Sequence, residues 1–390
     1  MNPGIVLLVL GYVLSQFFRA FLAVLATPIK TDIGISPEIL ANASGLWFLA
    51  FAAMQIPIGW SLDTIGPRRT AASLFLIGAA GGSAIFAVAT SAFQINMAML
   101  LIGVGCSPVL MASYYIFAKE FPPKQFATLA AVMIGFGTLG NVSASVPLNW
   151  AVDLIGWRQT LWLLSAICFT LAIGLFLYLQ DPTKVESYGS GSVLDLMRIP
   201  ALWLIIPIMF VSYAPAAAIR GLWISPFLQD VYGLNQTEIS HAALAMSCAM
   251  VLGVFIYGPL DRILGSRKWV VFGGNFLAML SVAALYTFPS ANVEFTIVLI
   301  CSLGLFGASF PVIIAHARSF FPPHLIGRGV TLLNLFGIGG VGLMQFASGK
   351  LHVSYNTDNP SEPYNAIFGF LTASILIGLI IYFFSQDTKD

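Results

Sequence analysis

Gly59-Trp60-Ser61-Leu62-Asp63-Thr64-Ile65-Gly66-Pro67-Arg68-Arg69 is a short charged turn between two apolar runs, and the chain contains it twice. The second copy reads Gly258-Pro259-Leu260-Asp261-Arg262-Ile263-Leu264-Gly265-Ser266-Arg267-Lys268, with its Asp one place early. Gly34, Gly59, Gly66 and Arg68 map at an offset of 199 onto Gly233, Gly258, Gly265 and Arg267. Further along, Phe121-Pro122-Pro123 recurs as Phe321-Pro322-Pro323, and Gly137 and Gly140 recur as Gly337 and Gly340, now at an offset of 200. One such coincidence is cheap in a chain with 36 glycines. A nearly constant offset over this length means one plan used twice.

The surroundings of the repeat say what solvent the plan is built for. Of 390 residues, 58% are hydrophobic and 8% charged, against about 25% charged in a soluble domain. That much apolar surface calls for lipid. A net charge of +1 without a basic tract gives no sign of a nucleic-acid partner. Cys106, Cys168, Cys248 and Cys301 all sit inside apolar runs without metal or disulfide spacing, and read as small buried hydrophobes.

A membrane helix needs about 20 apolar residues. Twelve segments qualify: 4–26, 39–60, 70–89, 95–117, 127–150, 160–179, 202–228, 239–258, 270–288, 295–316, 329–346 and 367–384. The runs are continuous and do not alternate, which excludes a β-barrel. The first lacks a basic leader and a small-residue cleavage site, and reads as a membrane helix rather than a removable signal. Lys and Arg collect on one side, in the loops carrying Arg68, Arg69, Lys119, Lys124, Lys184, Arg198, Arg262, Arg267, Lys268, Arg318 and Arg328. Only Lys30, Arg158 and Lys350 fall opposite. The bias places both termini in the cytoplasm. The expected fold is an all-α membrane protein of twelve transmembrane helices in two pseudo-symmetric six-helix bundles. Residues 1–180 and 202–390 form the bundles, and 181–201 is a polar cytoplasmic linker. The expected setting is a monomer in the inner (cytoplasmic) membrane.

The loop quoted first resembles that of the major facilitator superfamily, whose pattern is roughly Gly-x-Leu-Ala-Asp-Arg-x-Gly-Arg-Arg. Thr64 replaces the usual Arg. Gly156-Trp157-Arg158, before the sixth run, is also similar to this family. The resemblance covers the whole chain, and it implies a transporter that works by alternating access. It also implies a gating role for Asp63, Arg68, Asp261 and Arg267, as charge pairs that close the cytoplasmic side. The alternative is that these residues only set topology and cap helix ends. Gly135, Gly137, Gly140, Gly337, Gly339, Gly340 and Gly342 permit close helix approach.

Every carboxylate lies at a run's end or in a loop, whereas two arginines, Arg19 and Arg220, lie deep inside runs. A charge in the bilayer centre costs at least about 2.5–3.5 kcal/mol, so such residues are functional by default. Each is about 11 Å from the outer end of its helix, and snorkelling to headgroups is the competing reading. Tyr12 precedes Arg19 by seven residues and Tyr213 precedes Arg220 by seven, so each Tyr shares its arginine's helix face. In the resembled superfamily these two helices line the central cavity. With no buried carboxylate to balance two guanidinium forks, a bound anion is the simplest partner. The arginine pair resembles the organophosphate:phosphate antiporters, and Arg19-Ala20 through Pro28 with Gly34-Ile35-Ser36 resembles the anion:cation symporters.

Gln16, Trp223, Tyr114 and Tyr115 line the same cavity by that analogy. Trp223 is expected to stack on a guanidinium or on substrate, although each of the four is also readable as packing. His316 reads as a residue of the cytoplasmic interface. The expected function is a secondary active transporter of a small (organic) anion, as symporter or exchanger, with a proton or cation as the coupled ion. An efflux pump for amphipathic or cationic compounds, and a non-transporting receptor on the same scaffold, are the alternatives. No phosphate-binding Gly-Lys-Ser/Thr loop and no His cluster suggest an enzyme, a cofactor or a metal.

Overall fold

The computed structural model describes residues 3–121, 123–182, 193–288, 292–322, 325–355 and 359–387. Among them every regular element is helical, as lipid requires of a spanning chain whose backbone groups must be satisfied within each segment. Among the described residues, ten helical spans are long and apolar enough to cross a bilayer. They are α2 (Pro37–Leu62), α3 (Pro67–Ala87), α4 (Ala92–Phe117), α6 (Trp157–Tyr178), α7 (Pro200–Tyr232), α8 (Gln236–Asp261), α9 (Arg267–Thr287), α10 (Val293–Arg318), α11 (Arg328–Ser354) and α12 (Glu362–Phe383). The remaining two expected spans are broken. α1 is Pro3–Phe17 followed by Leu22–Ile33 at a bend of 53°. α5 is Pro123–Ser143 followed by Val146–Ile155. The chain is a multi-pass membrane protein.

Two compact units divide it, Met1–Ser187 with α1–α6 and Tyr188–Asp390 with α7–α12. The expected linker, 181–201, lies partly outside the described residues; its visible end carries a one-turn helix, Val193–Leu196.

Each unit is built on the same close approach. In the first, α5 lies against α1 with Gly140 on the Val13 carbonyl and Gly137 on the Tyr12 ring. In the second, α11 lies against α7 with Gly340 on the Phe210 carbonyl and Gly337 on Met209 and Phe310. A Cβ at Gly140 or Gly340 would run into backbone, so only glycine permits the contact. Gly135 has nothing within 4 Å and plays no such part.

The charged turn is explained by a residue that the motif does not contain. Asp181, just past α6, accepts from the Arg68 amide at 2.8 Å, and a Cβ on Gly66 would meet its carboxylate at 2.7 Å. Gly66 also has φ +102°, a conformation that L side chains avoid. In the second unit Asp387, just past α12, accepts from the Lys268 amide at 3.1 Å and from Ser266 Oγ at 2.6 Å. A carboxylate thus caps the start of α3 and of α9, where orphan amides and the helix dipole favour negative charge.

The expected gate residues are placed as follows. Arg267 meets Asp261 at 3.5 Å through Nε and donates to Ser319 Oγ at 2.7 Å through Nη1, tying the ends of α8, α9 and α10. Arg68 lies over the Phe176 ring at 5.4 Å, with Nε buried and lacking a hydrogen-bond partner. The Asp63 side chain lies outside the described residues. Arg158 donates to the carbonyls of Ala87 and Ala89 at the end of α3 and to Asp32 at 3.0 Å, which gives the Gly-Trp-Arg motif a structural task.

His316, in the last turn of α10, is fully buried. Its Nε2 lies 2.8 Å from the Gln386 carbonyl and its Nδ1 2.7 Å from Tyr382 Oη. A carbonyl only accepts, so the proton is assigned to Nε2 and Tyr382 donates to Nδ1. The burial expected of all four cysteines holds for Cys106 and Cys168, while Cys248 is exposed and Cys301 half-buried.

Candidate functional site

Both deep arginines sit where their helix departs from α geometry. In α1 the turn around Phe18–Phe21 tightens: the Arg19 amide donates to the Gln16 carbonyl and the Ala20 amide to the Phe17 carbonyl, i→i−3 bonds at 3.3 and 3.0 Å. The 53° bend falls there. No Pro or Gly occupies 18–21, so tightened turns carry it. Arg19 therefore follows the C-terminal end of Pro3–Phe17, where free carbonyls favour a cation. In α7, Arg220 lies in a π-helical turn, Ile219–Trp223. Such turns widen the helix and concentrate at functional sites.

Neither guanidinium faces out of its bundle: Arg19 is 8% exposed and Arg220 1%. Headgroup snorkelling is thereby excluded. Among the described residues no carboxylate pairs with either. Arg220 Nη2 donates to Tyr213 Oη at 3.2 Å, while Nε and Nη1 are buried without a partner. Arg19 Nε is likewise buried without a partner. Its guanidinium lies 5.4 Å from the Trp47 ring centroid and 5.0 Å from that of Phe51. Those two rings, four residues apart on α2, stack at 5.2 Å. The ring faces offset part of the cost of burying the cation and leave its donors free.

The Tyr-x6-Arg spacing therefore works differently in the two units. Tyr213 bonds its arginine directly. Tyr12 instead accepts from Gln16 Nε2 at 2.8 Å, and aromatic rings hold Arg19. Tyr114, on α4, is half-buried. Tyr115 lies under the Lys119 ammonium at 5.5 Å.

Trp223 departs from its expected stacking. Its indole N–H donates to Ser348 Oγ at 2.9 Å, its face stacks on His352 at 5.0 Å, and Tyr364 meets it edge-on. Tyr364 in turn donates to Asp230. The ring belongs to a packed aromatic cluster.

Sequence reading missed three features. Trp47, fully buried with an unpartnered indole N–H beside Arg19, was signalled by the Trp47-x3-Phe51 spacing. The Asp181 and Asp387 caps were signalled by Asp181-Pro182-Thr183-Lys184 and Asp387-Thr388-Lys389 at matching places after α6 and α12. Gln345, in the apolar stretch of α11, is fully buried with both Nε2 and Oε1 unpartnered.

The orphan atoms around the arginines are mainly donors: Arg19 Nε, Trp47 Nε1, Arg220 Nε and Nη1. Buried donors without partners are costly, and cationic N–H groups in a fork suit an oxyanion. Among the described residues no group of three or more His, Cys, Asp or Glu side chains could hold a metal.

Comparison with known proteins places this geometry in a family. The family model for the Major Facilitator Superfamily matches residues 8–235 and 205–390. A putative tartrate transporter of Agrobacterium vitis is 20% identical over 366 residues, 85% of this chain and 81% of its own. The hexuronate transporter of Escherichia coli (strain K12) is 23% identical over 294 residues, 70% and 67% of the two chains. An MFS-type efflux pump of Mycolicibacterium smegmatis is 23% identical over 403 residues, 96% and 90%. Among solved structures, a bacterial homolog to the human lysosomal transporter Spinster superposes with a TM-score of 0.75 at 20% identity, over 98% of this chain and 96% of that one. Two matched six-helix units, glycine-packed helices and a twice-used charged turn are together the plan of one family, and the chain belongs to the Major Facilitator Superfamily.

Proposed function

We propose that the protein is a secondary active transporter of a small organic anion, and that Arg19 and Arg220, one from each unit, receive the anion's charge. The observation that carries this reading is the pair of buried guanidinium groups, each at a helix irregularity, with unpartnered N–H donors and, among the described residues, no carboxylate paired with either. The names of the tartrate and hexuronate transporters among its relatives support a carboxylate as the charged group.

Transport proceeds by alternating access, with the site opening to each side of the membrane in turn. Closing an empty site over two cations is costly, and an anion that satisfies their donors lowers that cost. This asymmetry suits an exchanger, or a symporter whose proton arrives with the substrate. Tyr12, Gln16, Tyr114 and Tyr213 orient the anion or the arginines. The pair Asp261–Arg267, with Asp63 and Arg68, gates the cytoplasmic side. The protein works in the inner membrane with both termini cytoplasmic, following its Lys and Arg bias.

Uptake into proteoliposomes tests the reading. Arg19→Ala and Arg220→Ala should each abolish uptake of the carboxylates that the wild type carries. Lys at either position should keep partial activity, because it retains charge and loses the fork. Undiminished anion uptake by both Ala variants would refute it. The efflux-pump reading is favoured by one relative, and it requires export of a cationic or amphipathic compound that survives loss of both arginines.

A further inference from the structure

Gln345 is the strongest polar anomaly outside the arginines. A carboxamide has two donors and an acceptor, and here both ends are buried without a partner. Buried polar groups are otherwise hydrogen-bonded, so an amide left wholly unsatisfied calls for an absent partner.

Its place in the fold says which partner. α7 and α11 run side by side in the same direction, with the Phe210 carbonyl against Gly340 and the Trp223 indole on Ser348 Oγ. Arg220 lies one turn before Trp223, and Gln345 one turn before Ser348 on the same face of α11. The two residues therefore stand at one level of the second unit. Arg220 Nε and Nη1 and the buried hydroxyl of Ser225 are unpartnered there as well.

The chemistry of the two side chains differs. Arg220 only donates, and a carboxylate, which only accepts, satisfies it. A carboxylate would satisfy Gln345 Nε2 alone and would set its negative charge against Oε1. A hydroxyl both donates and accepts, and so answers both ends of the amide. We propose that Gln345 is a specificity-determining residue that reads a hydroxyl on the substrate, making hydroxylated carboxylates the preferred class over their deoxy counterparts. The proposal rests on the reading that Arg220 takes the anion.

The test uses the purified full chain in lipid nanodiscs and titration calorimetry with two matched pairs, tartrate against succinate and galactarate against adipate. In the wild type the hydroxylated member of at least one pair should bind about ten- to a hundred-fold more tightly, because the analogue leaves a buried amide unsatisfied. Gln345→Leu should reduce that ratio below about three-fold while leaving the deoxy member's affinity within about three-fold of wild type. Its melting temperature without ligand should equal or exceed the wild-type value, because an apolar near-isostere removes the orphan amide. Arg220→Met should weaken both members of a pair together. A ratio that persists in Gln345→Leu, a wild type that binds both members alike, or a variant that melts lower and loses both would overturn the role of Gln345 alone. Failure of every carboxylate to bind the wild type, or an Arg220→Met variant that binds both members normally, would overturn the anion reading beneath it.

Discussion

Replacing Arg220 by Met should make the empty protein more stable and the transporter inactive, and the structure sets the size of both effects. The guanidinium is 1% exposed, makes one hydrogen bond, to Tyr213 at 3.2 Å, and leaves two nitrogens without partners. Removing an ion from inside the membrane recovers about 2.5–3.5 kcal/mol. Losing the Tyr213 bond costs about 1 kcal/mol. The unliganded variant should therefore gain about 1.5–2.5 kcal/mol, since Met fills most of the side-chain volume. Binding moves the other way. Two charge-assisted bonds to an oxyanion are worth about 1.5–3 kcal/mol each, so affinity should fall by about a hundred- to ten-thousand-fold. Thermal unfolding of the purified variant, with and without carboxylate, reads the first quantity, and proteoliposome uptake reads the second. A variant that melts well below wild type while still taking up the anion would refute the reasoning, because Arg220 would then be a structural residue with a protein partner.

Three further outcomes follow from single contacts. Tyr213→Phe removes the bond to Arg220 Nη2 and should raise KM several-fold, a loss of about 1 kcal/mol; an unaltered KM would show that the bond does not position the guanidinium. Gly140→Ala and Gly340→Ala each drive a Cβ into a carbonyl and should cost at least about 1–3 kcal/mol, seen as lost thermal stability or yield, whereas Gly135→Ala, with open space around it, should be neutral or stabilising. Asp181→Asn and Asp387→Asn weaken matching caps and should each cost about 0.5–2 kcal/mol in thermal unfolding; a loss in one and none in the other would contradict their equivalence.

The repeat, the spans and the two arginines were legible because each leaves a mark that does not depend on tertiary detail. Apolar runs record the bilayer thickness. Glycines at a fixed offset record helix contacts made twice, as Gly140 and Gly340 do. A lone Arg in an apolar run stands out against its cost. The bend at Arg19 was not legible, since 18–21 has neither Pro nor Gly and the turn is tightened by packing. Asp181 and Asp387 read as ordinary helix-end acids, because a cap formed across about 110 residues of chain has no local pattern beyond the recurring Asp and Lys. Trp47 and Trp223 show the limit for aromatic residues. Both lie in apolar runs four residues from a Phe, yet one flanks Arg19 and the other is locked onto Ser348 and His352. Only the neighbours on other helices separate the two.

The central claim is that two buried cations await an anion. A thermal-shift screen of carboxylates, sulfonates and phosphates on the wild type and on the Arg19→Met, Arg220→Met double variant addresses it most directly, since a ligand of the native fold raises its apparent stability. At least one carboxylate should stabilise the wild type, and none should stabilise the double variant. Equal shifts in the two proteins, or none in the wild type with any anion, would contradict it.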